Sequence, residues 1–211
     1  MAHAMASVLG PGQLSVAELH AARLDGELYA LDERFSPVDE VDTSWQRATA
    51  LRSVAGSRMV AELRSALWIH GLRAFPPSVH TMCVGRSERV KFRPSPRFAV
   101  REMGHVPGDT VEIAGLLVTV PARILYDLAF LDGEREAADA GRILDRWPQL
   151  ARSCIGRIRD ARNLPGKGAA LRRLAEWRRD SGIDEQVQSA ATASAGVRKV
   201  AVQPALTRYT S

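Results

Sequence analysis

Thr110-Val111-Glu112-Ile113-Ala114-Gly115-Leu116-Leu117-Val118-Thr119-Val120-Pro121-Ala122-Arg123-Ile124-Leu125-Tyr126-Asp127-Leu128-Ala129 decides the fold class of this chain. Thr110 to Ile113 and Leu116 to Val120 are short β-prone runs, and Ala114-Gly115 between them suits a tight hairpin turn. Pro107-Gly108-Asp109 ahead of them is a turn signal. Pro121 then stands at the first position of a helix, where its missing N–H is no loss. Ile124, Leu125, Leu128 and Leu131 recur at helical spacing and form its predicted inner face. Strands that feed directly into a helix predict a mixed α/β protein of the α+β type and exclude an all-helical one.

Upstream, Val79, Thr81 and Cys83 alternate with His80, Met82 and Val84 as a mostly buried strand after Pro76-Pro77, and Phe98 to Arg101 reads as another. With the hairpin these make a small mixed or antiparallel sheet flanked by helices. Thr43 caps a predicted helix running to about Val54. Ser57 caps a second, with Met59, Val60, Leu63, Leu67 and Trp68 or Ile69 on its buried side and Gly71 at its end, so the two read as an αα-hairpin. Nearer the N-terminus, Ser15 and Glu18 have capping-box spacing for a helix to Leu24. Leu28, Ala30, Phe35 and Val38 fit a hairpin turning at Asp32-Glu33-Arg34. One helix and a hairpin are the end of a winged helix-turn-helix, cut down because a full one has about three helices before its wing.

Downstream of Gly133 the pattern is helical over Gly133 to Trp147, Gln149 to Arg162 and Lys167 to Arg179, the last two separated by the turn Asn163-Leu164-Pro165-Gly166. Beyond Gly182 the chain becomes small and polar, the composition of a tail. The expected organisation is a truncated winged-helix-like module over 1–42, a core with a helical C-terminal subdomain over 43–182, and a tail over 183–211.

At 211 residues the chain can bury a proper core, and no apolar run approaches the roughly 20 residues that span a bilayer, so a cytoplasmic location with no membrane partner is expected. Cys83 and Cys154 have no partners at metal-ligand spacing; both read as reduced, buried thiols, and no metal site is expected. The net charge is +5, and its distribution is uneven. Between Asp25 and Asp42 only Arg34 relieves seven acidic residues. Basic residues gather at Arg86 to Arg97 and again between Arg152 and Arg179. Acidic residues on the presumptive wing argue against tight DNA binding, which draws on phosphate neutralisation and counterion release.

Two stretches carry a family resemblance. Glu62-Leu63-Arg64-Ser65-Ala66-Leu67-Trp68-Ile69-His70-Gly71-Leu72 resembles the helix of AbiEi-type antitoxins, with a Ser-Ala pair before an apolar run and a His-Gly-Leu close. Val118-Thr119-Val120-Pro121-Ala122-Arg123 followed by Asp127-Leu128-Ala129 is similar to their Thr-Pro-Ala-Arg and Asp-Leu-Ala signature, with Val120 departing from the usual second threonine. With Arg101 and the Pro107-Gly108-Asp109 turn, the match covers roughly 26–131. It implies an antitoxin whose partner is a cognate nucleotidyltransferase toxin. The mycobacterial branch, which this chain resembles in its short N-terminus and Ala/Arg-rich composition, further implies an atypical serine protein kinase acting on the toxin, with ATP and Mg²⁺ as cofactors. A non-enzymatic toxin-sequestering protein and a DNA-binding autorepressor are the alternatives. Oligomeric state is left open.

Phosphate transfer needs cations on the nucleotide phosphates and a carboxylate on Mg²⁺. Asp127, Arg123 and Arg101 are the candidate catalytic set. Lys91, Arg86, Arg89 and Arg93, together with Arg64, Ser65 and His70 of the resembling helix, are candidate contacts to nucleotide phosphates or toxin. Each has a plainer reading. Arg123 and Asp127, four apart on one helix, suit a structural ion pair; His70 suits the end of a helix, where it satisfies carbonyls; the basic stretch suits a solvated loop. Asn163-Leu164-Pro165-Gly166-Lys167-Gly168 lacks the glycine spacing and hydroxyl residue of a phosphate-binding loop. No His-Arg-Asp or Asp-Phe-Gly segment is present, which excludes an ordinary protein kinase.

Overall fold

Alternation of period-two and helical runs produces a mixed α/β chain, seen in a computed structural model that describes residues 7–56, 58–85, 95–104 and 106–180. Helix α1 spans Val16–Leu24, and its N-terminus is closed by the expected capping box, in which Ser15 Oγ accepts from Glu18 N–H and Glu18 accepts from Ser15 N–H. Strands β1 (Leu28–Leu31) and β2 (Arg34–Pro37) pair antiparallel around the Asp32-Glu33 turn. Leu9, Leu19 and Leu28 form a small apolar cluster under this module, while Leu31 belongs to the main core. Helix α2 (Ser44–Arg52) is capped by Thr43 in a second capping box with Gln46.

The expected αα-hairpin is corrected here. Val60–Ala61 is a strand, β3, and the next helix, α3, begins only at Leu63 and runs to Ile69. Ser57, the expected cap, lies outside the described residues. The reason for the strand is that both sides of Val60 and Ala61 are occupied: they pair antiparallel with Cys83 and Met82 of β4 (His80–Val84) and parallel with Leu117 and Val118 of β7 (Leu116–Thr119). Leu63, at φ +45°, then turns the chain sharply into α3, a conformation that costs a non-glycine residue about 1–3 kcal/mol.

With β5 (Phe98–Glu102) parallel to β4 and β6 (Thr110–Ile113) antiparallel to β7, the five-stranded sheet has the order β5-β4-β3-β7-β6. The strand that sequence patterning missed is therefore the central one. Helix α4 (Pro121–Ala129) starts at proline as expected and buries Ile124, Leu125 and Leu128, but Leu131 lies beyond its end and is 37% exposed. Helices α5 (Glu134–Arg146), α6 (Leu150–Asp160) and α7 (Lys167–Asp180) match the three predicted helices within a few residues and pack around α4. Side chains of α2, α3, the sheet and α4 to α7 share one apolar core. Among the described residues no helix is long and apolar enough to cross a membrane.

Candidate functional site

Three of the predicted site residues converge where α4 crosses the sheet, and they do so inside an alternating chain of six charges. Glu62 stands at the N-cap position of α3 without capping it through its side chain, and Arg101 of β5 donates to both of its carboxylate oxygens at 2.5 and 2.7 Å. Arg101 Nη2, which donates to Glu62, also stands 3.7 Å from Asp127 Oδ2. Asp127 accepts from Arg123 Nε at 3.0 Å, one turn back on α4, and Arg123 Nη1 donates to Asp109. Asp109 finally accepts from Arg157 of α6 at 2.6 and 3.0 Å and from the Val106 N–H at 3.1 Å. Arg123 completes its donors with the Gly104 carbonyl and the Met103 sulfur.

Four members of this chain are buried, and two of its arginines reach water. The side chains of Glu62, Asp109, Arg123 and Asp127 are 7% exposed or less, whereas Arg101 and Arg157 are 41% and 36% exposed. Three carboxylates and three guanidinium groups balance, which is what allows so many charges under a helix without a net buried charge. Burial alone would raise the Asp109 carboxyl, but hydrogen bonds from Arg157, Val106 and Arg123 hold it well below the usual carboxylate range. Asp127 goes the other way: burial raises it, Glu62 nearby adds to this, and Arg123 and Arg101 only partly compensate. The Arg123–Asp127 contact is thus an ion pair within a larger network whose acidic sites are all taken by arginine.

A second polar relay lies on the far side of β4. Ser65 Oγ is 3.0 Å from His80 Nδ1, His80 Nε2 is 3.1 Å from Asp32, and Asp32 also accepts from Arg97. The order Ser-His-Asp is that of a hydrolase triad. Ser65 and His80, however, have no solvent exposure, and Ser65 Oγ is already engaged by the Thr81 N–H at 2.9 Å. Buried in this way, the relay ties the β1–β2 turn, where Asp32 sits at φ +58°, to the sheet. Burial pushes the Asp32 carboxyl up, and His80 and Arg97 more than reverse the shift, leaving it lowered.

The remaining predicted residues separate. Ser65 is buried in the relay. Arg64 is partly exposed and pairs with Glu136 of α5 at 3.2 Å. His70 ends α3 and hydrogen-bonds through Nε2 to the Thr119 carbonyl at 2.8 Å; burial lowers its pKa more than this bond raises it, so it is a neutral donor. Arg86, Arg89, Lys91 and Arg93 lie outside the described residues. Cys83 and Cys154 are buried thiols, and burial pushes Cys154 up to about 11 and Cys83 higher still. Sequence reading missed Glu62 and Asp109 as ion-pair partners although both stood in the quoted motifs. The signal available was that each is acidic beside a strand or helix start. Asp32, His80 and Arg157 gave none, since their partners are distant in sequence. Comparison with family models and with curated proteins finds no match for this chain.

Proposed function

We propose that this chain is an antitoxin that neutralises a cognate nucleotidyltransferase toxin by direct contact. One observation carries the reading: the two stretches in which the resemblance lies, separated by most of the sheet, meet in space as a single unit. His70 bonds to the Thr119 carbonyl, Thr119 Oγ1 donates to the Ala61 carbonyl, and Arg101 bridges Glu62 to Asp127. Residues of the two resembling stretches thus form the frame of the fold, and the exposed faces around that frame are where a toxin would bind. Contact is favoured over phosphate transfer because Glu62, Asp109 and Asp127 are each held by arginine, leaving none of the three to coordinate Mg²⁺.

Serine phosphorylation of the toxin with ATP and Mg²⁺ is the second reading. What favours it is the half-exposed Arg101, whose strand neighbour β4 ends one residue before Gly85 and the basic stretch that includes Lys91. Co-expression with the toxin, followed by separation in denaturant and refolding of the toxin alone, distinguishes the two. Contact predicts toxin of unchanged mass that regains activity. Toxin that has gained a phosphate and stays inactive establishes the kinase instead, with Lys91→Ala plus Arg101→Ala abolishing the mass gain. Failure of co-expression to rescue cells from any neighbouring toxin removes both.

A further inference from the structure

Among the described residues two surfaces away from the candidate site stand open, and their chemistries are opposite. One is a groove of about 360 Å³ between α6 and α7, with Ile155, Leu171 and Ala175 on its floor and Arg152 and Arg159 at its rim. Over 149–180 the chain carries nine Lys and Arg against three Asp and Glu. Gly156 also lines the groove. It sits in the interior of α6, where glycine weakens a helix relative to alanine, and yet an added Cβ would meet nothing within 4 Å. Packing within this chain does not require the glycine, and the bare backbone it leaves admits close approach from outside.

The other surface is a ridge at the end of α1 and the exit of β2, brought together by a hydrogen bond from the Val38 N–H to the Glu27 carbonyl at 3.0 Å. Leu24, Val41 and Val38 stand out of it at 87%, 75% and 57% exposure. Asp25, Glu27, Asp39 and Glu40 are exposed between them. Three large aliphatic side chains this far out of a small module leave apolar surface that water solvates poorly.

We propose that the acidic ridge of one copy docks into the basic groove of a second copy and the reverse, so that the protein self-associates as a reciprocal pair. The aliphatic side chains of the ridge cover the groove floor, and Asp39 and Glu40 meet Arg152 and Arg159. Apolar burial supplies affinity, while the opposed charges set register and speed encounter. A pair related by a two-fold axis uses the contact twice. Nucleic acid is the poorer occupant, because among the described residues no aromatic ring lines the groove to stack a base.

Sedimentation velocity on the full chain, over a range of concentrations and at low and high salt, tests this. The expected mass rises from one chain toward two with concentration, and salt reverses it. Arg152→Glu with Arg159→Glu should weaken association by about tenfold or more, Asp39→Arg with Glu40→Arg should do the same, and combining all four should restore it, since the charges are then exchanged. Gly156→Trp, which fills the groove, should also weaken it while circular dichroism shows an intact fold. A single chain at every concentration overturns the proposal, as does self-association indifferent to all these changes. If Gly156→Trp instead reduces toxin capture by a protein that is always monomeric, the groove belongs to the toxin and self-association is wrong.

Discussion

Replacing Asp109 by asparagine keeps its shape and removes the charge that joins Arg123 to Arg157 in the six-charge chain. Asp109 is 2% exposed and accepts from Arg123, from Arg157 at 2.6 and 3.0 Å and from the Val106 N–H. Breaking a buried pair by removing one partner costs about 3–5 kcal/mol. Here the loss falls at the low end, because Arg157 is 36% exposed and can be hydrated, and Arg123 keeps Asp127. A destabilisation of about 3 kcal/mol is expected, which for a chain of this length lowers Tm by about 6–12 °C. Asp132→Asn, at an ion pair whose acid is 89% exposed, should change stability by less than about 0.5 kcal/mol. The pH dependence has a definite sign. Because the folded pKa of Asp109 is depressed, its contribution is fully present above the unfolded value of about 4 and is lost as pH falls through the folded value. Urea unfolding of both proteins between pH 7 and the acid limb measures this. A difference under about 1 kcal/mol at pH 7, or one that does not shrink in acid, would refute the ion-chain argument.

Ser65→Ala leaves His80 Nδ1 and the Thr81 N–H without their buried partner, so stability should fall by about 2 kcal/mol and limited proteolysis near the β1–β2 turn should accelerate. Cys83 and Cys154 should react with a disulfide reagent at pH 8 only after unfolding, since both are buried and their pKa values are raised. Two glycines should answer oppositely to alanine. Gly156→Ala should raise Tm, stabilising α6 by about 0.5–1 kcal/mol, whereas Gly115→Ala, at φ +75° with an added Cβ only 2.7 Å from Arg52 Nε, should lower it.

The Ser15–Glu18 capping box, the Thr43 cap, the Ala114-Gly115 turn and Pro121 were legible in the sequence because each acts over three or four residues, the range in which one residue's chemistry dictates its neighbours' backbone. β3 was not, since a strand of two residues has no periodicity and Val60–Ala61 is held extended by partners as distant as Val118. The run from Met59 to Ile69 is mostly apolar, interrupted only by Glu62, Arg64 and Ser65, so a helix read across it fits as well as a strand followed by a helix. At the site the same limit holds. Spacing on one helix revealed the Arg123–Asp127 pair, but Arg101 with Glu62 and Arg157 with Asp109 depend on strands and helices coming together. His70 was placed correctly at a helix end, yet the carbonyl it satisfies is that of Thr119, on β7.

The position of β3 bears on the order in which the chain can fold as it is made. A nascent chain emerges N-terminus first, so Val60 and Ala61 can pair with Met82 and Cys83 as soon as those residues are free. Their other side waits for Leu117 and Val118, and until then the half-built sheet presents an unpaired edge of the kind that recruits other strands. A ribosome paused before Leu116 therefore holds a chain that is open at its centre. Emergence of β7, with α4 directly behind it, closes that edge and brings Arg123 and Asp127 onto charges already waiting there.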